Sequence, residues 1–232
     1  MAIKIRRYSD RGFADHGWLK SFHTFSFADY FDPAFMGFRT LRVINEDYIS
    51  GGMGFGTHPH KDMEIITYVL EGSLTHKDSM GNQENINAGD IQKMSAGTGV
   101  KHSEFNADPQ KSVHLFQIWI QPNKTGIAPA YQQTTLPKSF KESLLLIAGP
   151  LKSAGVISLE QDAKVYIGRF KSGDSYSYTI GPKRAVWLQM ITGHIRVNDQ
   201  ELKDSDAAAI ENESGLTISI QNDSEFILFD LA

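Results

Sequence analysis

Two short patterns in the chain combine side chains that bind first-row metals. The first is His58-Pro59-His60, preceded by Gly54-Phe55-Gly56-Thr57. In an extended segment residues two apart project from one face, so both imidazoles can reach a single point while Pro59 faces away and stiffens the pair. The glycines ahead of them carry no side chain and leave room for an ion and a ligand. The second pattern is His102-Ser103-Glu104, behind the turn Ala96-Gly97-Thr98-Gly99. Its imidazole and carboxylate share a face by the same rule. On neighbouring strands the two pairs supply three nitrogen donors and one oxygen donor, a set suited to one divalent ion: Fe(II), Mn(II), Ni(II), Cu(II) or Zn(II). Four protein ligands leave two positions of an octahedral ion open, which points to catalysis or sensing rather than to a structural role. The competing reading of a lone His-x-His is two polar residues on a strand. It loses ground once His-x-Glu stands beside it.

Glu64 admits two readings, a further acidic ligand or a hydrogen-bond or salt-bridge partner beside the site, and the second is preferred. His23, in Phe22-His23-Thr24-Phe25-Ser26-Phe27, reads as a packing histidine. His16, His76 and His114 have no partner at ligand spacing, and His194 stands alone in its half of the chain.

The elements that must hold these residues are strands. Twenty glycines and eight prolines punctuate short runs rich in Val, Ile, Phe, Tyr and Thr that alternate with period two. Strands are predicted over 22–28, 38–45, 64–70, 73–77, 113–120, 185–190, 194–198, 217–221 and 226–231, in an all-β fold of antiparallel sandwiches or barrels. The run Glu64 to Leu74 and the run Ala185 to Ile195 share a strand, Gly turn, strand pattern that places Gly72 on Gly193, an offset of 121 residues. Two tandem barrels of one kind follow: residues 1–125 with the metal site, a proline-rich linker over 126–145, and residues 146–232. At that offset His58, His60 and Glu64 fall on Thr179, Gly181 and Ala185, so the second barrel is expected to lack a metal.

Composition removes several classes. The chain has 232 residues and no cysteine, which excludes disulfides, thiolate nucleophiles and Cys-ligated zinc. A formal charge of -4 gives no net pull toward nucleic acid or anionic lipid. There is no Gly-rich dinucleotide fingerprint, Walker lysine or Gly-x-Ser-x-Gly elbow. Arg6-Arg7 and Lys183-Arg184 read as solvated surface. The opening MAIKIRRYSD turns polar after five residues and no run approaches the roughly 20 apolar residues of a membrane span, so a cytoplasmic location is expected.

The two ligand pairs, with Glu64 to Gly72, the run Gly89-Asp90-Ile91-Gln92-Lys93-Met94-Ser95-Ala96-Gly97-Thr98-Gly99 and the upstream His23-Thr24-Phe25-Ser26-Phe27-Ala28-Asp29-Tyr30-Phe31-Asp32-Pro33, resemble the pirin family of bicupins, in its bacterial quercetin 2,3-dioxygenase branch. The resemblance spans essentially the whole chain and is most specific over residues 10 to 120. Against the general cupin pattern, Ser95 stands where proline is usual, two extra residues precede His102, and Glu64 sits one place off the usual glutamate. The resemblance therefore implies His58, His60, His102 and Glu104 as metal ligands, in the first of two jelly-roll cupin barrels. It implies a dioxygenase holding one divalent ion, Fe(II) first, that opens the heterocycle of flavonols such as quercetin with O2 and releases CO. Glu104 would serve as general base. The alternative it carries is a metal- or redox-sensing protein that binds a transcription regulator. A monomer that meets flavonol and O2, without nucleic acid or membrane, is expected.

Overall fold

The structure is a computed structural model that describes residues 3–137, 140, 143–151 and 153–232. Its strands in the first half are β1 (Ile3–Arg6), β2 (Gly12–Asp15), β3 (Leu19–His23), β4 (Leu41–Ile49), β5 (Gly54–His60), β6 (Glu64–Glu71), β7 (Ser73–Asp78) and β8 (Gln83–Asn87). There follow β9 (Asp90–Ser95), β10 (Val100–Asn106), β11 (Val113–Ile120), β12 (Ala130–Thr135), β13 (Ser143–Gly149), β14 (Ile157–Ser158) and β15 (Ala163–Phe170). The last are β16 (Ser175–Thr179), β17 (Ala185–Thr192), β18 (Ile195–Val197), β19 (Gln200–Leu202), β20 (Ala207–Ile210), β21 (Gly215–Ile220) and β22 (Ser224–Leu231). One 3-10 turn, Tyr8–Asp10, is the only helical element among the described residues. The all-β, two-barrel expectation holds.

Contacts divide the chain into two units. The first barrel, residues 12–136 with 159–161, has a seven-stranded sheet ordered β12-β9-β6-β11-β4-β3-β2 and a four-stranded sheet ordered β5-β10-β7-β8. The sheets face each other across a core that joins Ile49, Val69, Val113 and Leu115 of one to Leu74 and Ile86 of the other. The second barrel, residues 1–11, 137–158 and 162–232, repeats the plan with β1-β20-β17-β22-β15-β13-β14 and β16-β21-β18-β19. Its core is built from Val186, Leu188, Phe226 and Leu228 against Val197, Leu216 and Ile218.

Gly72 and Gly193 occupy the same turn in the two barrels. Both have positive φ, 80° and 99°, and a Cβ on either would press on backbone of the hairpin opposite, 3.1 Å from Ser112 O and 2.4 Å from Asp223 O. Both demands select glycine, which is why the internal echo is audible in sequence.

The edges of the expected segments move. Pairing with β20 places β1 in the second barrel, so that barrel does not begin at 146. The expected linker over 126–145 contains β12, which pairs along its length with β9; its residues 138, 139, 141 and 142 lie outside the described residues. The predicted strand 22–28 is β3 shifted toward the N-terminus, because after His23 the chain turns at Phe27–Tyr30, held by Ser26 Oγ accepting from the Asp32 amide at 2.8 Å. The basic pairs are not simply solvated. Arg6 is buried, and Arg184 pairs with Asp162 at 2.9 Å and with Asp230.

Candidate metal centre

β5 and β10 are neighbours in the four-stranded sheet, with His58 directly opposite His102. The next inward pair is Phe55 with Glu104, so three residues of β5 span two of β10 and the register shifts there. Such a bulge re-aims the following side chains. It lets Phe55 and His58, three apart in sequence, both face the barrel interior, where their rings lie 6.4 Å apart. The rings of His58, His60 and His102 stand within 4.4–4.9 Å of one another, and one nitrogen from each falls within 4.8 Å of the others. The three predicted imidazoles are thus brought to one point.

Glu104 falls in a different group of three. Its carboxylate lies within 4.8 Å of ligand nitrogens of His102 and His76, so the four expected ligands do not make a single set at that separation. The carboxylate is buried, and it accepts hydrogen bonds from Gln117 Nε2 at 2.9 Å and Thr67 Oγ1 at 3.4 Å. Trp119 Nε1 donates to Gln117 Oε1 at 3.3 Å and turns the amide nitrogen toward Glu104. Gln117 and Thr67 belong to a row of register partners, Asn45–Gln117–Thr67–Gln92, that crosses β4, β11, β6 and β9. Its outer end is His23, whose Nδ1 lies 2.9 Å from Asn45 Oδ1. Glu64 is not in the cluster; it pairs with Lys93 at 3.4 Å, both buried, as the salt-bridge reading anticipates.

Burial, followed by the proximity of His58, lowers His60 to about 4. Burial and then the neighbouring histidines lower His102 to about 3, against an opposing pull from Asp78. Both are neutral at pH 7, with lone pairs free for a cation. Burial first, and Asp47 second, raise Glu104 to about 7 against the pull of its two hydrogen-bond donors. A cation would hold it ionised.

His76 is the residue that sequence reading passed over. It stands opposite Glu104 on β7, is fully buried, and its ring lies 5.3 Å from that of His102. Its Nε2 is 3.0 Å from Asp78 Oδ2. Burial pushes Asp78 up, but hydrogen bonds from Asn82, His76 and Met80 outweigh it and hold the carboxyl below its ordinary value. The signal was present: His76-Lys77-Asp78 is another two-residue pattern.

The chain fits a metal. His102 Nδ1, His102 Nε2 and His76 Nδ1 are buried with no hydrogen-bond partner, a costly state that coordination relieves. The donor set of imidazole and carboxylate suits first-row divalent ions. His58 Nδ1 lies 2.8 Å from Gly56 O, the outer hydrogen bond that orients a ligating imidazole. Two hollows flank the cluster. One, of about 510 Å³, has an aromatic wall of Phe13, Trp18, Phe27 and Phe55 and a polar floor of Ser21, His23, Asn45, Asp47 and Gln117; the four expected ligands do not line it, and it adjoins them through Phe55, beside the His58 ring, and Gln117, bonded to Glu104. In the floor Ser21 Oγ donates to Asp47. The other is bounded by Pro59, His60, Lys61, Val100 and Lys101.

Comparison with known proteins agrees with this architecture. The Pirin family model matches residues 4–120, and the model of the quercetinase C-terminal cupin domain matches residues 146–231. The chain is 47% identical to an Escherichia coli K12 protein named quercetin 2,3-dioxygenase, over 99% of this chain and 98% of that one. It is 42% identical to a pirin-like protein of Caulobacter vibrioides, over 99% and 100%. The crystal structure of the bacterial pirin YhhW of E. coli in complex with nickel(II) superposes with a TM-score of 0.95 at 46% identity, over 99% of this chain and 98% of that one. No helix among the described residues is long and apolar enough to cross a membrane. The chain is a member of the pirin family.

Proposed function

We propose that this protein is a divalent-metal dioxygenase that opens the heterocyclic ring of flavonols such as quercetin with O2 and releases CO. The observation that carries the reading is the convergence of three imidazoles beside a buried carboxylate, next to a cavity of about 510 Å³ with an aromatic wall. That volume lies within the roughly 300–1,000 Å³ of small-molecule sites. Full-length similarity to proteins named quercetin 2,3-dioxygenase supports the substrate class.

His58, His60, His102 and Glu104 would hold the ion, Fe(II) first among the candidates. When bound, it would supply acidity to a substrate hydroxyl and redox reactivity toward O2. Phe13, Phe27 and Phe55 offer flat apolar contact to a polycyclic phenol. Glu104, held ionised by the cation, would take the proton of the flavonol 3-hydroxyl. Gln117 and Thr67 hold that carboxylate in place.

The test is O2-dependent loss of quercetin with CO detection, on protein reconstituted anaerobically with Fe(II), Mn(II), Ni(II) or Cu(II), beside Glu104→Gln. Metal-dependent turnover with one CO per quercetin, reduced at least about 100-fold in the variant, is the expected result. No turnover at full occupancy by each metal overturns the reading.

A further inference from the structure

The four-stranded sheet of the first barrel contains more donors than one three-histidine site uses. We infer that His76, His102 and Glu104 form a second, inner seat for a divalent first-row cation, sharing His102 and Glu104 with the outer seat of His58, His60, His102 and Glu104 proposed above, so that a single ion has two alternative positions. The inference rests on the metal-binding reading above and deepens it.

Three observations carry it. Ligand atoms of His76, His102 and Glu104 lie within 4.8 Å of one another, the same separation that brings the outer three together. All three residues are at most 1% exposed, whereas His58 and His60 are half-buried, so the inner seat is the closed one. His76 also has the surroundings of a ligand: Nε2 rests on the Asp78 carboxylate at 3.0 Å, and Nδ1 is buried and unpartnered. A ligating histidine almost always gives its second ring N–H to a carboxylate, a carbonyl or water, which fixes the tautomer and leaves the other nitrogen's lone pair for the metal. Asp78 is itself anchored by the amides of Met80 at 2.9 Å and Asn82 at 3.1 Å and by Asn82 Nδ2 at 2.8 Å. The dyad is therefore built to a fixed geometry. Two nitrogens and one oxygen suit Co(II), Ni(II), Cu(II) or Zn(II).

The seats are separated by removing the outer one. In His58→Ala/His60→Ala, binding of Co(II) is measured by titration with its d–d absorption, and the coordinated imidazoles are counted by pulsed EPR on the Cu(II) form. Folding is checked by circular dichroism. The inner seat requires one Co(II) per chain and two imidazoles on Cu(II). Adding His76→Gln is expected to leave one imidazole and to weaken Co(II) binding about 100-fold. Loss of binding in the double variant, or a single imidazole there, overturns the inner seat while leaving the outer one intact if the unaltered protein still binds one ion. Failure of the unaltered protein to bind either ion overturns both.

Discussion

The two barrels share a strand plan and differ in what fills it. Within each barrel the register identifies equivalent positions. His58 opposes His102 in the first, and Tyr178 opposes Leu216 in the second. Glu104 and His76 are paired in the first, Ile218 and Val197 in the second. The polar row Asn45–Gln117–Thr67–Gln92 becomes Tyr166–Leu228–Leu188–Ala208. One scaffold thus closes around a packed apolar centre in one copy and around unpartnered donors in the other. The lesson is energetic: the same barrel plan closes without metal ligands at these positions, the second copy filling the space with Leu and Ile, each fully buried side chain contributing about 1.5–3 kcal/mol. The first copy gives up that packing for a site.

Making the first barrel like the second should abolish the site. His102→Leu copies Leu216 and removes a donor common to both seats, so metal content measured by mass spectrometry after dialysis should fall more than about 100-fold, and turnover with it, since even partners outside the coordination shell cost 10–100-fold. A folded variant with full metal would break the comparison. Smaller effects separate the rows. Gln117→Leu copies Leu228 and frees Glu104 from its amide donor; kcat should fall about 10–100-fold with the metal retained. The reverse exchange, Leu228→Gln, buries an amide without partners and should cost about 1–3 kcal/mol in urea unfolding while leaving metal affinity unchanged.

The smallest effect is a proton count. Glu104 at about 7 is largely protonated at pH 6 and ionised at pH 8, whereas His60 at about 4 and His102 at about 3 are neutral at both. Metal uptake that requires the carboxylate should therefore release about one proton more at pH 6 than these histidines can supply, and almost none from Glu104 at pH 8. Calorimetry in buffers of different ionisation enthalpy reads this directly. In the metal-free protein the same groups act in opposite directions. The depressed histidines contribute stability present above pH 6.5 and lost as pH falls through 4 and 3; the raised Glu104 contributes stability present below 4.5 and lost as pH rises through 7.

His58, His60 and His102 were legible because the two-residue rule needs only an extended backbone. The barrel repeat was legible through Gly72 and Gly193, where the turn itself demands glycine. The bulge in β5 was not: a constant offset of 121 sets His58 on Thr179, and the extra residue between Phe55 and His58 shifts the match to Tyr178. Gln117 and Thr67 depend on register between strands distant in sequence, which no local pattern records; His76-Lys77-Asp78 did carry a two-residue pattern, but its place opposite Glu104 is again a matter of register. The strand boundaries around His23 moved for the complementary reason, a turn fixed by Ser26 and Asp32 within an apolar run.

The strand at Ile3–Arg6 places a constraint in time. Its hydrogen-bonding partner, Ala207–Ile210, lies some two hundred residues later in the chain, and Arg7 and Tyr8 are tied to Asp206 beside it. During synthesis from the N-terminus, residues 12–136 can pair among themselves well before that partner exists. Ile3–Arg6 is thus among the last strands to be placed, and its own unpaired edge stays open to wrong neighbours until Ala207–Ile210 has been made.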